Sequence, residues 1–226
     1  MNDQKQAVRG MKEILPVAGA GIIDGMVFGI LVRQAGLGIP EAMMFSLLVN
    51  AGSSQFAALG LLTQGVGAWP VLISTALLNA RHLLYGLSLG PAFRGVSTWR
   101  MALLSHWLND ETFALKSAYL DKEEKFSLSY FTGAGLVDYL IWGLATLAGA
   151  VFGTLITEPE AYGLDFAFLA TFLGFLALYL TSRFYIKAAV LAAGVACLGY
   201  YLQGATLAVI LGTMAAVVMG VFADEQ

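Results

Sequence analysis

Asn79-Ala80-Arg81-His82-Leu83-Leu84-Tyr85-Gly86-Leu87-Ser88-Leu89 sets an asparagine, an arginine and a histidine almost side by side within a long apolar run. The fold turns on whether that run lies in a bilayer, where an ionisable side chain costs several kcal/mol and marks a functional site by default. Composition decides. The chain has 226 residues, 58% of them hydrophobic and 12% charged, and its mean hydropathy is +0.75. Soluble domains are about 45–50% apolar and about 25% charged. There is too little polar surface here to cover a soluble globule, so the expected fold is an all-α polytopic membrane protein in contact with lipid. A net charge of −3 with no basic block excludes a nucleic-acid partner. Cys197 is the only cysteine, which rules out an internal disulfide, and two histidines are too few for a multi-His/Cys metal site. No cofactor is expected.

A spanning helix needs about 20 apolar residues. On that ruler the segments are 14–35, 40–64, 69–90, 100–119, 127–153, 163–182, 185–203 and 204–222. The first follows Lys5, Arg9 and Lys12, but it is longer than a signal-peptide core and contains Asp24, so it reads as a retained helix. The interruptions are short, which predicts one transmembrane domain, 1–226, of seven to eight segments. Two segments depart from plain spans. The second carries Asn50-Ala51-Gly52-Ser53-Ser54-Gln55, small and polar residues that favour turns and caps over continuous helix. Irregular backbone at membrane depth survives only inside protein or beside a water-filled cavity, so a broken or re-entrant helix is expected there. The fourth contains His106, Asn109, Asp110, Glu111 and Lys116, and either lines a cavity or lies at the interface.

The placement of lysine and arginine predicts a cytoplasmic amino terminus. Lys5, Arg9, Lys12, Lys116, Lys122, Lys125, Arg183 and Lys187 fall inside with eight crossings and Arg33, Arg94 and Arg100 outside, and Arg94 and Arg100 move inside if 40–64 and 100–119 are re-entrant. There is also an internal echo. Gly19-Ala20-Gly21-Ile22-Ile23-Asp24 returns as Gly133-Ala134-Gly135-Leu136-Val137-Asp138, which divides the chain into possible repeat halves 14–119 and 127–222, parallel or inverted. Many transporters are built from such repeats, with the substrate bound where the halves meet; the alternative is chance similarity between glycine-rich helices.

Gly21, Gly25 and Gly29 stand four apart and so share one helix face, which invites close approach of another helix. Asp24 lies towards that face. It reads with Asp138 either as a proton-coupling or ammonium-binding acid or as a neutral acid bonded to a neighbouring helix. The backbone groups freed at Asn50–Gln55 suit a carboxylate and an ammonium, or mark a packing notch. Arg81 and His82 either snorkel to the interface or pair with Asp24, Asp110 or Glu111; His82 would then titrate near neutral pH. Gly86-Leu87-Ser88-Leu89-Gly90 matches the G-x-S-x-G nucleophile elbow in letters only, because the elbow needs a strand–turn–helix context. Trp69, Trp99, Tyr130 and Tyr162 fall near segment ends, as an interfacial belt places them.

Gly29 to Leu37, Ala51-Gly52-Ser53-Ser54-Gln55-Phe56, Asn79-x-Arg81-His82-x-x-Tyr85-Gly86-x-Ser88-Leu89, Asp110-Glu111-Thr112-Phe113-Ala114 and Gly163-Leu164-Asp165-Phe166-Ala167 together resemble the AzlC family, in the same order and over nearly the whole chain. The Asn79–Leu89 block is the most specific part. That resemblance implies a secondary transporter of the bacterial inner membrane, exporting leucine, isoleucine, valine and sometimes methionine. It also implies a second, smaller hydrophobic subunit of the AzlD type.

The sequence therefore leads to a proton-motive-force-driven exporter of hydrophobic amino acids, not an enzyme. The expected substrate-binding residues are Asn50, Ser53, Ser54, Gln55, Asn79, Arg81 and Tyr85, with Phe45, Leu48 and Phe56 cradling the side chain. The expected proton-coupling residues are Asp24, His82, Asp110, Glu111 and Asp138. Two other readings compete with this one: a non-transporting scaffold that stabilises a partner, and an intramembrane hydrolase using Ser88 and His82.

Overall fold

A computed structural model describes residues 3–122, 127–155 and 180–221, with isolated positions between 161 and 177. Most of the 163–182 segment, the Gly163–Asp165 anchor and Tyr162 lie outside the described residues. Among those described the structure is helical and contains no strand. Among the described residues three helices are long and apolar enough to cross a membrane: α1 (Asp3–Gln34), α8 (Leu128–Phe152, extended to Leu155 by a 3₁₀ turn) and α9 (Arg183–Gln203). The chain groups into two compact units, Met1–Gln55 with Asn79–Thr157, and Phe56–Leu78 with Glu158–Gln226.

The first unit is built on α1 packed along α8, and glycine sets the spacing. A Cβ at Gly29 would strike the Thr146 carbonyl oxygen, one at Gly149 the Met26 carbonyl, and one at Gly133 the Ala7 carbonyl. Backbones that approach this closely leave no room for side chains, which is how small residues hold helices together in lipid. The register also fixes direction. Ala7 meets Gly133, Gly25 meets Ala145, Met26 meets Gly149 and Ile30 meets Gly153. Numbers rise together, so the two helices run parallel.

Both segments expected to depart from plain spans are broken. The second is α2 (Ile39–Met44), a π-helical turn (Phe45–Val49), a break at Asn50-Ala51, and α3 (Gly52–Thr63). The fourth is α6 (Thr98–His106), a break at Trp107–Asn109, and α7 (Asp110–Lys122). The third is interrupted as well, at Ala80, between α4 (Ala68–Asn79) and α5 (Arg81–Leu89). Single π turns sit preferentially at functional sites.

In the second unit α9 folds back on α10 (Ala205–Val221) about Gly204, at φ 80°. Gly199 faces Ala208 and Gly212 faces Ala196, so this hairpin uses small residues in the same way. Tyr130 corrects the interfacial-belt reading. It is wholly buried, stacks on Tyr119 at 4.0 Å and donates a 2.6 Å hydrogen bond to Glu13. Trp69 and Trp99, by contrast, are exposed.

Candidate functional site

The site lies within the first unit, where the two helix breaks meet. Asn50 adopts the left-handed conformation at φ 45°, which asparagine tolerates better than most side chains. Its Nδ2 donates to the carbonyl of His106, 3.2 Å away, so one break is tied to the end of α6 at the other. A broken helix strands carbonyls that must find donors. Gln55 Nε2 donates to the Phe45 carbonyl at 2.6 Å, and the Tyr139 hydroxyl donates to the Leu47 carbonyl at 2.9 Å. Trp142 Nε1 donates to Gln55 Oε1 at 3.2 Å, and Ser54 Oγ donates to the Ala51 carbonyl at 2.9 Å. Gln55 and Ser54 thus spend their polar groups on holding the break open. Of the expected cradle, Leu48 is exposed.

Arg81, at the start of α5, joins the first turns of both second half-helices. Its Nη2 donates to Ser53 Oγ of α3 at 2.6 Å and lies 3.0 Å from Asp110 Oδ2 of α7. The Tyr85 hydroxyl, one turn along α5, donates to the other Asp110 oxygen, and its ring stacks on Phe113 at 4.1 Å. Of the three acids offered to Arg81 by the sequence, Asp110 is the partner. An acid in a helix's first turn is favoured by the helix dipole, and α7 has both Asp110 and Glu111 there. The Arg81 Nε is buried with no hydrogen-bond partner among the described residues.

Asn109 caps α7. Its Oδ1 accepts from the Thr112 backbone N–H at 2.9 Å, while its Nδ2 donates to Asp138 Oδ2 of α8 at 2.6 Å. Asp138 is therefore buried and bonded, whereas Asp24 is half-buried on α1 and makes no hydrogen bond or ion pair among the described residues. The two acids of the sequence echo stand in different surroundings.

Beside the breaks lies a cavity of about 210 Å³ lined by Val49, Asn79, His82, Ser105, His106 and Leu108. Both histidines of the chain face it. His82 Nδ1 donates to the Asn79 carbonyl at 3.1 Å, and the ring packs edge-on to Tyr85. His106 packs edge-on to Tyr139. The Oδ1 atoms of Asn79 and of Asn50 are buried acceptors with no donor among the described residues. Buried polar atoms are normally satisfied; of these orphans Asn79 Oδ1 belongs to a residue of the cavity wall, while Asn50 and Arg81 are the chain neighbours of the wall residues Val49 and His82. His106 was not assigned a role from the sequence, although a histidine in an apolar segment was signal enough.

Ser88 lies within α5 and is exposed, with no bond to His82 among the described residues, so the Gly86–Gly90 motif has no nucleophile-elbow geometry.

Helical spans joined by broken segments around a polar cavity define an integral membrane protein with an internal polar cavity. The chain belongs to the AzlC family: the family model described as AzlC protein matches residues 16–156. The chain is similar to an uncharacterized membrane protein of Helicobacter pylori, 30% identical over 152 residues, a match covering 67% of this chain and 66% of that protein. It is also similar to the branched-chain amino acid transport protein AzlC of Bacillus subtilis, 24% identical over 162 residues (70% of this chain, 62% of that protein). A third relative is the inner membrane protein YgaZ of Escherichia coli, 26% identical over 175 residues (75% and 71%). No solved structure matches.

Proposed function

We propose that this protein is a secondary transporter exporting branched-chain amino acids across the bacterial inner membrane, driven by the proton motive force. The observation that carries the reading is the 210 Å³ cavity with the unpaired amide oxygen of Asn79 on its wall. Asn50 and Arg81, each with an unpaired buried polar atom, are the chain neighbours of the wall residues Val49 and His82. An α-amino acid zwitterion supplies both missing partners. Its ammonium donates to the two amide oxygens, and its carboxylate accepts from Arg81. That volume is many times the ~10–15 Å³ that holds one water. The name of the Bacillus relative supports the substrate class, and that of the Escherichia relative supports the inner membrane.

Asp24, Asp138 and the imidazoles of His82 and His106 carry the coupling proton. Asp110, with Ser53 and Tyr85, positions Arg81, and Glu111 joins the coupling acids. Seven or eight segments cross the membrane with the amino terminus cytoplasmic, and a small AzlD-like subunit completes the transporter.

The test is valine and leucine uptake into proteoliposomes holding both subunits under an imposed pH gradient. Uptake that follows the gradient and falls at least about tenfold in Asn79→Leu is expected, that being the size of one lost charge-assisted hydrogen bond. Asp24→Asn is expected to uncouple uptake from pH. A scaffold without transport activity would show no uptake above empty vesicles, and that result ends the proposal. Unchanged pH dependence in Asp24→Asn removes its coupling role.

A further inference from the structure

Lys116 reads from the sequence as a cytoplasmic-side charge, but the structure buries it in α7 with 1% of its surface exposed. An unpaired buried ammonium is among the most costly groups a protein can hold. No carboxylate forms an ion pair with it among the described residues. Its Nζ lies 5.8 Å from the Phe131 ring centroid, a cation–π contact that recovers part of the lost hydration. The field of Asp138 also reaches it without direct contact.

Lys116 lines a second cavity of about 80 Å³, whose other walls include Leu89, Phe93, Met101, Leu104 and Leu108. Lys116 is the only charged group on that wall. The cavity is therefore apolar with a single positive charge, which is the complement of an aliphatic anion. Asn79, His82 and His106 line the first cavity and not this one, so the second offers an ammonium only the Ser105 hydroxyl among its side chains.

We propose that the Lys116 cavity binds a short branched aliphatic carboxylate that carries no ammonium, such as a branched-chain 2-oxo acid. The carboxylate pairs with Lys116 and the branched tail fills the space between α5, α6 and the Gly90–Phe93 turn. A zwitterion is disfavoured there, because its ammonium would sit close to the Lys116 ammonium with only the Ser105 hydroxyl as a side-chain acceptor. The site is distinct from the amino acid cavity, although Ser105 and Leu108 line both.

The experiment is calorimetric titration of the detergent-purified full-length protein with 4-methyl-2-oxopentanoate, leucine and octanoate. Binding of the oxo acid that persists in saturating leucine, which occupies the Asn79 cavity, and octanoate binding no better than the oxo acid are expected. Lys116→Met replaces the ammonium with an apolar chain of similar length and is expected to weaken oxo-acid binding at least about tenfold, one charge-assisted contact, while Lys116→Arg retains it. Helical circular dichroism and the melting temperature show whether each variant is folded. Equal affinity in folded Lys116→Met overturns the proposal, as does displacement of the oxo acid by saturating leucine. Tighter binding of octanoate overturns it too, since that describes a lipid-tail crevice.

Discussion

The Arg81–Asp110 pair gives the sharpest test of how the site is held together. Arg81 Nη2 is 3.0 Å from Asp110 Oδ2 and 2.6 Å from Ser53 Oγ, with the two charged side chains 22% and 33% exposed. A hydrogen bond to a charged group contributes about 1.5–3 kcal/mol net. Exposure of a fifth to a third admits solvent screening and moves the figure towards the lower end. A coupling energy of about 1–2 kcal/mol between the two residues follows, within the range for directly contacting pairs. Asp110→Asn keeps an acceptor for the Tyr85 hydroxyl but turns an amide or a neutral oxygen towards Arg81. Arg81→Gln leaves Asp110 with Tyr85 alone. The assay is a double-mutant cycle in unfolding by denaturing detergent, with Asp110→Asn, Arg81→Gln and the pair together. The double variant is expected to be more stable than the sum of the single losses by that coupling. Additivity within ~0.3 kcal/mol would refute the reasoning and reduce the contact to mere proximity. Transport separates structure from recognition: the double variant regains stability but not uptake if Arg81 also holds the substrate carboxylate.

Gly149→Ala is expected to lower the melting temperature, because its Cβ meets the Met26 backbone and overpacking costs about 1–3 kcal/mol against a helix-propensity gain of ~1 kcal/mol. Gly19→Ala, whose Cβ meets nothing, keeps the gain and raises it. At Asn50, alanine loses the bond to the His106 carbonyl and strains the left-handed backbone by ~1–2 kcal/mol, whereas glycine loses only the bond, so melting temperatures should rank asparagine, glycine, alanine. In a Cys197→Ser background, Lys5→Cys and Ser127→Cys are expected to react with an impermeant maleimide from the same membrane face, because α1 and α8 run parallel. Reaction from opposite faces would contradict that packing.

Hydropathy located the helices to within a few residues. The expected 127–153 and 204–222 became 128–152 and 205–221, and the expected 40–64 became the broken stretch 39–63. It missed the start of α1 at Asp3, since that first stretch is polar and is held by an Arg9–Glu13 pair at 2.8 Å and by Gly10 packed on Tyr130, neither visible to an apolarity count. The break at Asn50 was legible because small polar residues compete with the helix for hydrogen bonds. The break at Trp107–Asn109 was legible in principle, because an asparagine followed by two acids is a helix start. The one at Ala80 leaves no mark, as alanine favours helix. Which acid meets Arg81, and whether Lys116 points to water or into the protein, are decided by helices distant in sequence, and no local pattern encodes them.

The parallel run of α1 and α8 constrains the rest of the topology. Each is long and apolar enough to cross a bilayer. Two parallel crossing helices start on the same side, so the chain between Gln34 and Leu128 must cross an odd number of times. Three crossings satisfy this if the two broken segments both span, and one satisfies it if both turn back. A topology with a single re-entrant segment fails. The basic residues agree, since Lys5, Arg9 and Lys12 lie in the first turns of α1 and Lys122 and Lys125 precede α8, which places both clusters on one face. The same geometry bears on the internal echo. Helices related by an inverted repeat run antiparallel across the membrane, so an equivalence of α1 with α8 admits only the parallel kind. Their shared glycines are then explained by the packing itself, because each helix needs bare backbone where the other crosses it.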